Sequence, residues 1–287
     1  LILLHYTPVE RHLIEGKEVF VKREDMATPP PGPCFSKTRG LYAHMLKLRE
    51  SGVKEVGYLE TAISMAGWGV AWVGKILGIQ VTIFDPAYSS KHVARKVHQF
   101  HRKQWLKLGA VVVQVTPLMT RINFNVIQKH LFPKDPSREF LPLGLPLEET
   151  IEETARQAEI TSSLPRMNTV VVSVGSGTVC AGILRGIGNH PIHIVGVMCR
   201  DGNKNRKMKE ILKRSKVLLG DLWGPDFTLI NPGYAYTDKE TTLSPGFPCN
   251  PYYDLKALKY LVDHYDELEP PILFWNIGGG GYNITEG

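Results

Sequence analysis

The sequence predicts a two-lobed α/β protein with mostly parallel sheets flanked by helices. Short apolar, β-branched runs alternate with stretches of helical spacing, the rhythm of strand–helix–strand units. The chain has 287 residues, 43% of them hydrophobic, enough to bury roughly 75% of the surface of its extended form. An irregular, proline-punctuated stretch at 118–148 interrupts the rhythm midway, as a lobe boundary or an active-site loop would.

Taken in order, 56–59 reads as a strand, 67–77 as a helix, and 80–84 as a strand ending at Asp85-Pro86. The basic stretch 91–108 follows as a helix and 110–115 as a strand. Each strand run is short and bounded by turn formers, which separates it from helix. Past Pro133, Pro136, Pro142 and Pro146, helical spacing resumes over 147–159. Residues 169–174 and 192–198 read as buried strands, and 272–275 as the last strand, running straight into 278–281. No internal repeat is detected.

Lys and Arg number 34 against 28 Asp and Glu, a formal charge of +6. That favours solubility and tolerates an acidic partner without identifying one. Gly 27 and Pro 20 lie far below the collagen or low-complexity range. Cys34, Cys180, Cys199 and Cys249 form no Cys-x-x-Cys pair, so neither a zinc ribbon nor a disulfide framework is indicated and a cytoplasmic compartment is the default. Residues 1–5 turn polar too soon for a signal segment, and no apolar stretch approaches the roughly 18 residues that cross a bilayer. The missing initiator Met implies a start downstream of the true N-terminus.

The sharpest local signal is Gly175-Ser176-Gly177-Thr178, set between a β-rich run and a helical one. Closely spaced glycines let backbone N–H groups converge on an anion, two hydroxyls add donors, and the helix start adds its field. A phosphate cradle and an ordinary tight strand-to-helix turn both fit. The segment lacks the Gly-Lys-Ser/Thr ending of a nucleotide P-loop. The second signal is Lys22-Arg23-Glu24-Asp25 followed, across Pro29-Pro30-Pro31-Gly32-Pro33, by Ser36-Lys37-Thr38-Arg39. A lysine at a helix start meets an unfavourable field that lowers its pKa, which suits an amine that attacks an aldehyde carbon. A solvated surface lysine is the plainer reading.

With Gly278-Gly279, these segments stand in the order of the pyridoxal-phosphate enzymes of the tryptophan synthase β-like fold (fold type II). Along nearly its whole length the chain resembles the aminocyclopropane-carboxylate deaminase and D-cysteine desulfhydrase branch of that family. The resemblance implies an N-terminal arm and part of the large domain at 1–40, a small α/β domain at 41–145 and a large cofactor-binding domain at 146–287. It implies pyridoxal 5′-phosphate as cofactor, Lys37 as its aldimine lysine and proton shuttle, and Gly175, Ser176, Gly177 and Thr178 around its phosphate. Ser64-Met65 falls on the family's Ser-Asn pair. Ser64 is retained for substrate carboxylate contact, while Met65 offers the ring oxygen only a weak thioether acceptor. Asn231-Pro232-Gly233-Tyr234 resembles a Gly-Tyr active-site loop, in which the Tyr234 ring packs over the substrate or its hydroxyl donates a proton; a buried tyrosine with one satisfied hydroxyl fits as well. Pro251-Tyr252-Tyr253-Asp254-Leu255-Lys256-Ala257 matches a Pro-x-Tyr-x-x-Lys-Ala segment. Phe247 falls near the place where relatives carry an acid on the pyridine nitrogen, and Ile277 replaces the threonine before Gly278 at the cofactor's edge.

The implied activity is a lyase, deaminase or β/γ-replacement reaction on a small amino-acid-like substrate. Two alternatives stay open. One is pyridoxal-phosphate-dependent modification of an amino-acid adduct on a nucleotide or DNA base, a phosphorylated or nucleic-acid-borne substrate. The other is a noncatalytic homologue that binds a phosphate ligand or nucleic acid. Both draw on the basic runs 91–103 and 200–216, the second with eight Lys and Arg, which also read as solvated faces. A homodimer is expected from the resemblance, and no membrane association. The spacing of His92, His98 and His101 shows no matching carboxylate or cysteine ligand and their context is crowded with positive charge, so no metal is expected. Asp85 is expected to be a turn residue or helix cap.

Overall fold

The computed structural model describes residues 6–86, 88, 94–161, 163–188, 190–217 and 226–280. The chain divides into two compact units, Leu1–Pro29 with Cys34–Gly40 and Glu148–Gly287, and Pro30–Pro33 with Leu41–Leu147. It opens with an antiparallel hairpin of β1 (Val9–Ile14) and β2 (Lys17–Arg23). The hairpin turns on Glu15-Gly16, both at positive φ, 48° and 76°, the twist that a two-residue turn needs and that Gly16 adopts without strain. The unit boundary at Gly40 falls inside α1 (Thr38–Glu50).

The smaller unit continues with β3 (Glu55–Leu59), α2 (Ala66–Leu77), β4 (Gln80–Pro86) and α3 (Arg95–Lys107). It ends with β5 (Val111–Val115), α4 (Thr120–Val126) and β6 (Arg138–Phe140). Its sheet runs β5-β4-β3-β6, all parallel. The strands and helices expected between 56 and 115 are therefore present with ends shifted by a few residues, while residues 91–93 of the basic helix, His92 included, lie outside the described residues. The irregular stretch holds more order than expected. It contains α4, a π turn at Ile127–Leu131 and β6, a strand of three residues that is too short to show a period.

Asp85 corrects the sequence reading, because it is neither a turn residue nor a cap. It is buried in β4, where His98 Nε2 lies 2.6 Å from Oδ1 and Arg102 Nε donates to Oδ2 at 3.1 Å. The two partners stand four residues apart on α3, so one helix face meets the strand. His101 is fully buried on the same helix, and burial pushes its pKa down to about 3. Glu60, just past β3, accepts the N–H groups of Thr61 at 2.7 Å and Gly67 at 2.6 Å; burial pushes its pKa up to about 8.

The larger unit adds α5 (Glu148–Glu159), β7 (Thr169–Val174), α6 (Thr178–Ile187) and β8 (His193–Met198). Then come α7 (Lys204–Ser215), β9 (Asp226–Ile230), α8 (Asp254–Asp263) and β10 (Ile272–Asn276). The sheet order is β1-β2-β10-β7-β8-β9, with every pair parallel except β1 and β2. Side chains along each central strand alternate between two cores, as the two-residue period of a strand requires. Val170, Val172, Ile194, Leu273 and Trp275 enter one, and Val171, Val195, Ile272 and Phe274 the other. On α6, Gly182 and Gly186 let α5 approach closely. A Cβ at Gly186 would lie 2.2 Å from the Ala155 carbonyl oxygen.

Candidate active site

The Lys37 segment is tied to the end of β10. Phe35 bridges to Gly278, and Ser36 N–H donates to the Ile277 carbonyl at 3.1 Å. Lys37 stands immediately before α1, half-buried, and its Nζ donates to Ser176 Oγ at 2.9 Å. Ser176 Oγ lies 2.9 Å from Thr178 Oγ1 and also accepts Thr178 N–H at 3.4 Å. The tight passage from β7 into α6 requires Gly177, whose φ is +82°, and a Cβ there would lie 2.7 Å from Ile211 Cγ1. Hydroxyls, a lysine amine and the start of a ten-residue helix thus converge after the strand, an arrangement that receives anions.

The basic run 200–216 is more than a solvated face. On α7, Lys207, Ile211 and Arg214 form a stripe at helical spacing that packs on this turn. Ile211 and Lys207 approach Gly177, and Arg214 Nη1 donates to the Ser176 carbonyl at 2.5 Å. Burial pushes the Lys37 pKa down to about 7, and the Arg214 and Lys207 cations push in the same direction. Near neutral pH the amine is therefore divided between its nucleophilic and protonated forms.

Asp254, at the start of α8, is not singled out by the sequence and lies against the Ile277 segment that also anchors Ser36. It is buried, accepts Ser173 Oγ–H at 2.8 Å and Ile277 N–H at 3.1 Å, and burial pushes its pKa up to about 7. Phe247, by contrast, is core: it packs with Val19, Val21 and Leu258, with His12 and the Arg23 guanidinium against its ring. The available signal was an acid beside Tyr253 inside the matched segment. Local pattern does not reveal its burial.

Tyr234 is half-buried in the loop after β9. Its carbonyl accepts Asp201 N–H at 2.6 Å, and Lys256 Nζ lies 4.8 Å from its ring. Burial raises its pKa, as does the nearby Glu240 carboxylate, so its hydroxyl is a proton donor rather than a base. Ile277 enters the site through its backbone, whose N–H serves Asp254 and whose carbonyl serves Ser36. Lys37, Gly175 to Thr178, Tyr234, Ile277 and Gly278 all belong to the larger unit, whereas Ser64 and Met65 belong to the smaller. There Ser64 Oγ accepts Ala66 N–H at 3.0 Å, and Met65 is buried at the start of α2.

A family model described as pyridoxal-phosphate dependent enzyme matches residues 3–218. A protein of Pseudomonas phage M6 described as "Glycyl-dTMP PLP-dependent decarboxylase" is 36% identical over 287 residues, covering 96% of this chain and all of that protein. Among solved structures, an ACC deaminase homologue superimposes with a TM-score of 0.75 at 19% identity, covering 97% of this chain and 91% of the other. A pyridoxal 5′-phosphate-dependent aspartate racemase does so with a TM-score of 0.64 at 16% identity, covering 96% and 91%. A hydrogen sulfide-producing enzyme from Fusobacterium nucleatum gives 0.64 at 14% identity, covering 97% of both chains. These structural likenesses establish the tryptophan synthase β-like, two-lobed α/β fold.

Proposed function

The chain belongs to the pyridoxal-phosphate-dependent enzyme family, and from that premise we propose that it decarboxylates an amino acid carried on a thymidine nucleotide. The observation that carries the substrate class is the relative described as a glycyl-dTMP decarboxylase, similar over 96% of the chain. An adduct on a nucleotide thus displaces the free amino acid as the favoured substrate, and a noncatalytic homologue is set aside.

The residues present fit the cofactor. Ser176, Thr178 and the N–H groups opening α6 would hold its phosphate, with room that only glycine leaves at 177. Lys37 supplies an amine whose pKa of about 7 permits attack on an aldehyde. Asp254 would hold the ring nitrogen, its buried carboxyl kept in place by Ser173 and Ile277. Gly278 is assigned to the ring's surroundings. Bound pyridoxal phosphate supplies an electron-accepting ring that takes up the electron pair left at the substrate α-carbon.

The bond from the α-carbon to the carboxylate breaks, carbon dioxide leaves, and a proton must replace it on that carbon. Lys37 is the residue we assign to deliver it, since an amine with a pKa near 7 carries a transferable proton at neutral pH. Tyr234, held in its protonated form, is a second donor. A homodimer is part of the same proposal, to be measured by sedimentation.

The test is incubation of cofactor-loaded protein with glycyl-thymidylate, following carbon dioxide release and the mass of the nucleotide. Release that stops in Lys37→Ala supports the reading. No release from the loaded wild type, or equal turnover of free glycine, rejects it.

A further inference from the structure

Beyond the cradle, the larger unit carries an exposed guanidinium on a separate loop. Arg200 follows β8, is exposed, and among the described residues makes no ion pair or hydrogen bond. Its guanidinium lies 5.8 Å from the Tyr236 ring centre, in the loop after β9. The Tyr236 hydroxyl lies 3.3 Å from that of Tyr253, and the Tyr253 ring would be 3.4 Å from a Cβ at Gly175, the first cradle residue. A short series of neighbouring side chains, Tyr253 and Tyr236, therefore leads from the cradle towards Arg200.

The two loops that carry this chain are fastened to each other. Lys256, buried beneath them, donates to the Cys199 carbonyl at 2.7 Å and to the Ala235 carbonyl at 3.3 Å. Asn231 Nδ2 donates to Asp201 Oδ1 at 2.8 Å and to the Gly202 carbonyl at 3.1 Å. The nearby carboxylates are already engaged, Asp201 by Asn231 and its neighbour's N–H, Asp238 by Ala235 N–H at 2.7 Å. An exposed guanidinium without an ion pair among the described residues, next to an aromatic ring, is suited to a phosphate anion, two of whose oxygens its planar fork can bind at once.

Resting on the nucleotide reading above, we propose that Arg200 binds the phosphate of the nucleotide-borne substrate, positioned by Tyr236, and that this site is distinct from the cradle at 175–178. The cradle holds the cofactor's phosphate, and Arg200 selects a substrate that carries its own. The ligand chemistry is a thymidylate phosphate, whether a free monoester or a diester within a strand.

The experiment titrates cofactor-loaded protein with dTMP, thymidine and a dT12 oligonucleotide by calorimetry, in wild type, Arg200→Ala, Arg200→Lys and Tyr236→Ala. Wild type should bind dTMP more tightly than thymidine. Arg200→Ala should weaken dTMP about tenfold, the scale of a lost charged hydrogen bond, and leave thymidine and the cofactor's visible absorbance unchanged. Arg200→Lys should fall between, because a point charge replaces a fork. Tyr236→Ala should weaken dTMP in the same direction. The same Arg200-dependent loss on dT12 identifies a diester source, and its restriction to dTMP a monoester. Equal dTMP affinity in wild type and Arg200→Ala, or no dTMP binding to wild type, overturns the proposal. Arg200-dependent dTMP binding without decarboxylation of glycyl-thymidylate leaves this site standing and rejects only the reaction.

Discussion

Lys37 Nζ and Ser176 Oγ meet at 2.9 Å although 139 residues separate them in sequence. The contact joins the amine before α1 to the helix start that follows β7, so one side chain links the lysine proposed to react with the cofactor aldehyde to the turn proposed to hold its phosphate. Borohydride treatment of the cofactor-loaded protein should leave a pyridoxyl mass on the peptide containing Lys37. Lys37→Ala should lose the visible absorbance band and reduce turnover about 100- to 10,000-fold, the range expected on removing a proton-transfer group. Retention of the band in Lys37→Ala would move the assignment to another lysine.

The depressed pKa of Lys37 gives a pH dependence with a definite sign. With a value of about 7 in place of 10.5, the neutral amine is half populated near pH 7. The rate at which cofactor-free protein takes up pyridoxal phosphate should rise through pH 7 and level off above it. Lys207→Met removes one of the cations that disfavour the ammonium form, so the midpoint should move to higher pH. Stopped-flow absorbance across a pH series reads both. A wild-type rate that keeps climbing toward pH 10 contradicts the assigned environment.

How far the site can be read from sequence depends on whether a feature is local. β7 is visible because Val170, Val171 and Val172 stand together, and Gly175 to Thr178 because its chemistry is contiguous. β2 is concealed. Its buried Val19 and Val21 stand among Lys17, Glu18, Lys22 and Arg23, and Lys22 is itself buried, donating to the Thr7 carbonyl at 2.6 Å beneath the Tyr6 ring. Lys207, Ile211 and Arg214 carry a helical spacing that sequence displays, but the partner of that stripe is Gly177, and only the fold brings them together. Asp254 is hidden for a further reason, since its burial and its partners Ser173 and Ile277 come from three separated segments.

Gly177→Ala tests the cradle's backbone. A residue with a side chain at φ +82° costs about 1–2 kcal/mol, and the new methyl would meet Ile211 at 2.7 Å, adding roughly 1–3 kcal/mol if the core cannot yield. The variant should fold with lowered stability and bind pyridoxal phosphate more weakly, measured by denaturant melts and cofactor titration. Ile211→Ala in the same chain should recover part of the stability by removing the overlap. Unchanged cofactor affinity in Gly177→Ala would place the phosphate elsewhere.

Asp254→Asn separates the cost of a buried carboxylate from its use. The folded pKa of about 7 stands above the ordinary 3.8, so between those values the folded chain holds a proton that the unfolded chain has lost. The contribution of Asp254 to the stability of the cofactor-free wild type therefore falls as pH rises from 4 to 7, by up to roughly 4 kcal/mol. Asparagine carries no charge to desolvate and keeps an oxygen to accept from Ser173 or Ile277. The cofactor-free variant should match wild type near pH 4 and exceed it at pH 8, in urea melts at both. With cofactor bound the order should reverse for activity, since a neutral amide stabilises a protonated ring nitrogen less than a carboxylate does, and turnover in Asp254→Asn should drop while Lys37 still forms its borohydride-trapped adduct. A variant that keeps full turnover would remove Asp254 from the ring and leave it a structural tie between α8 and β10.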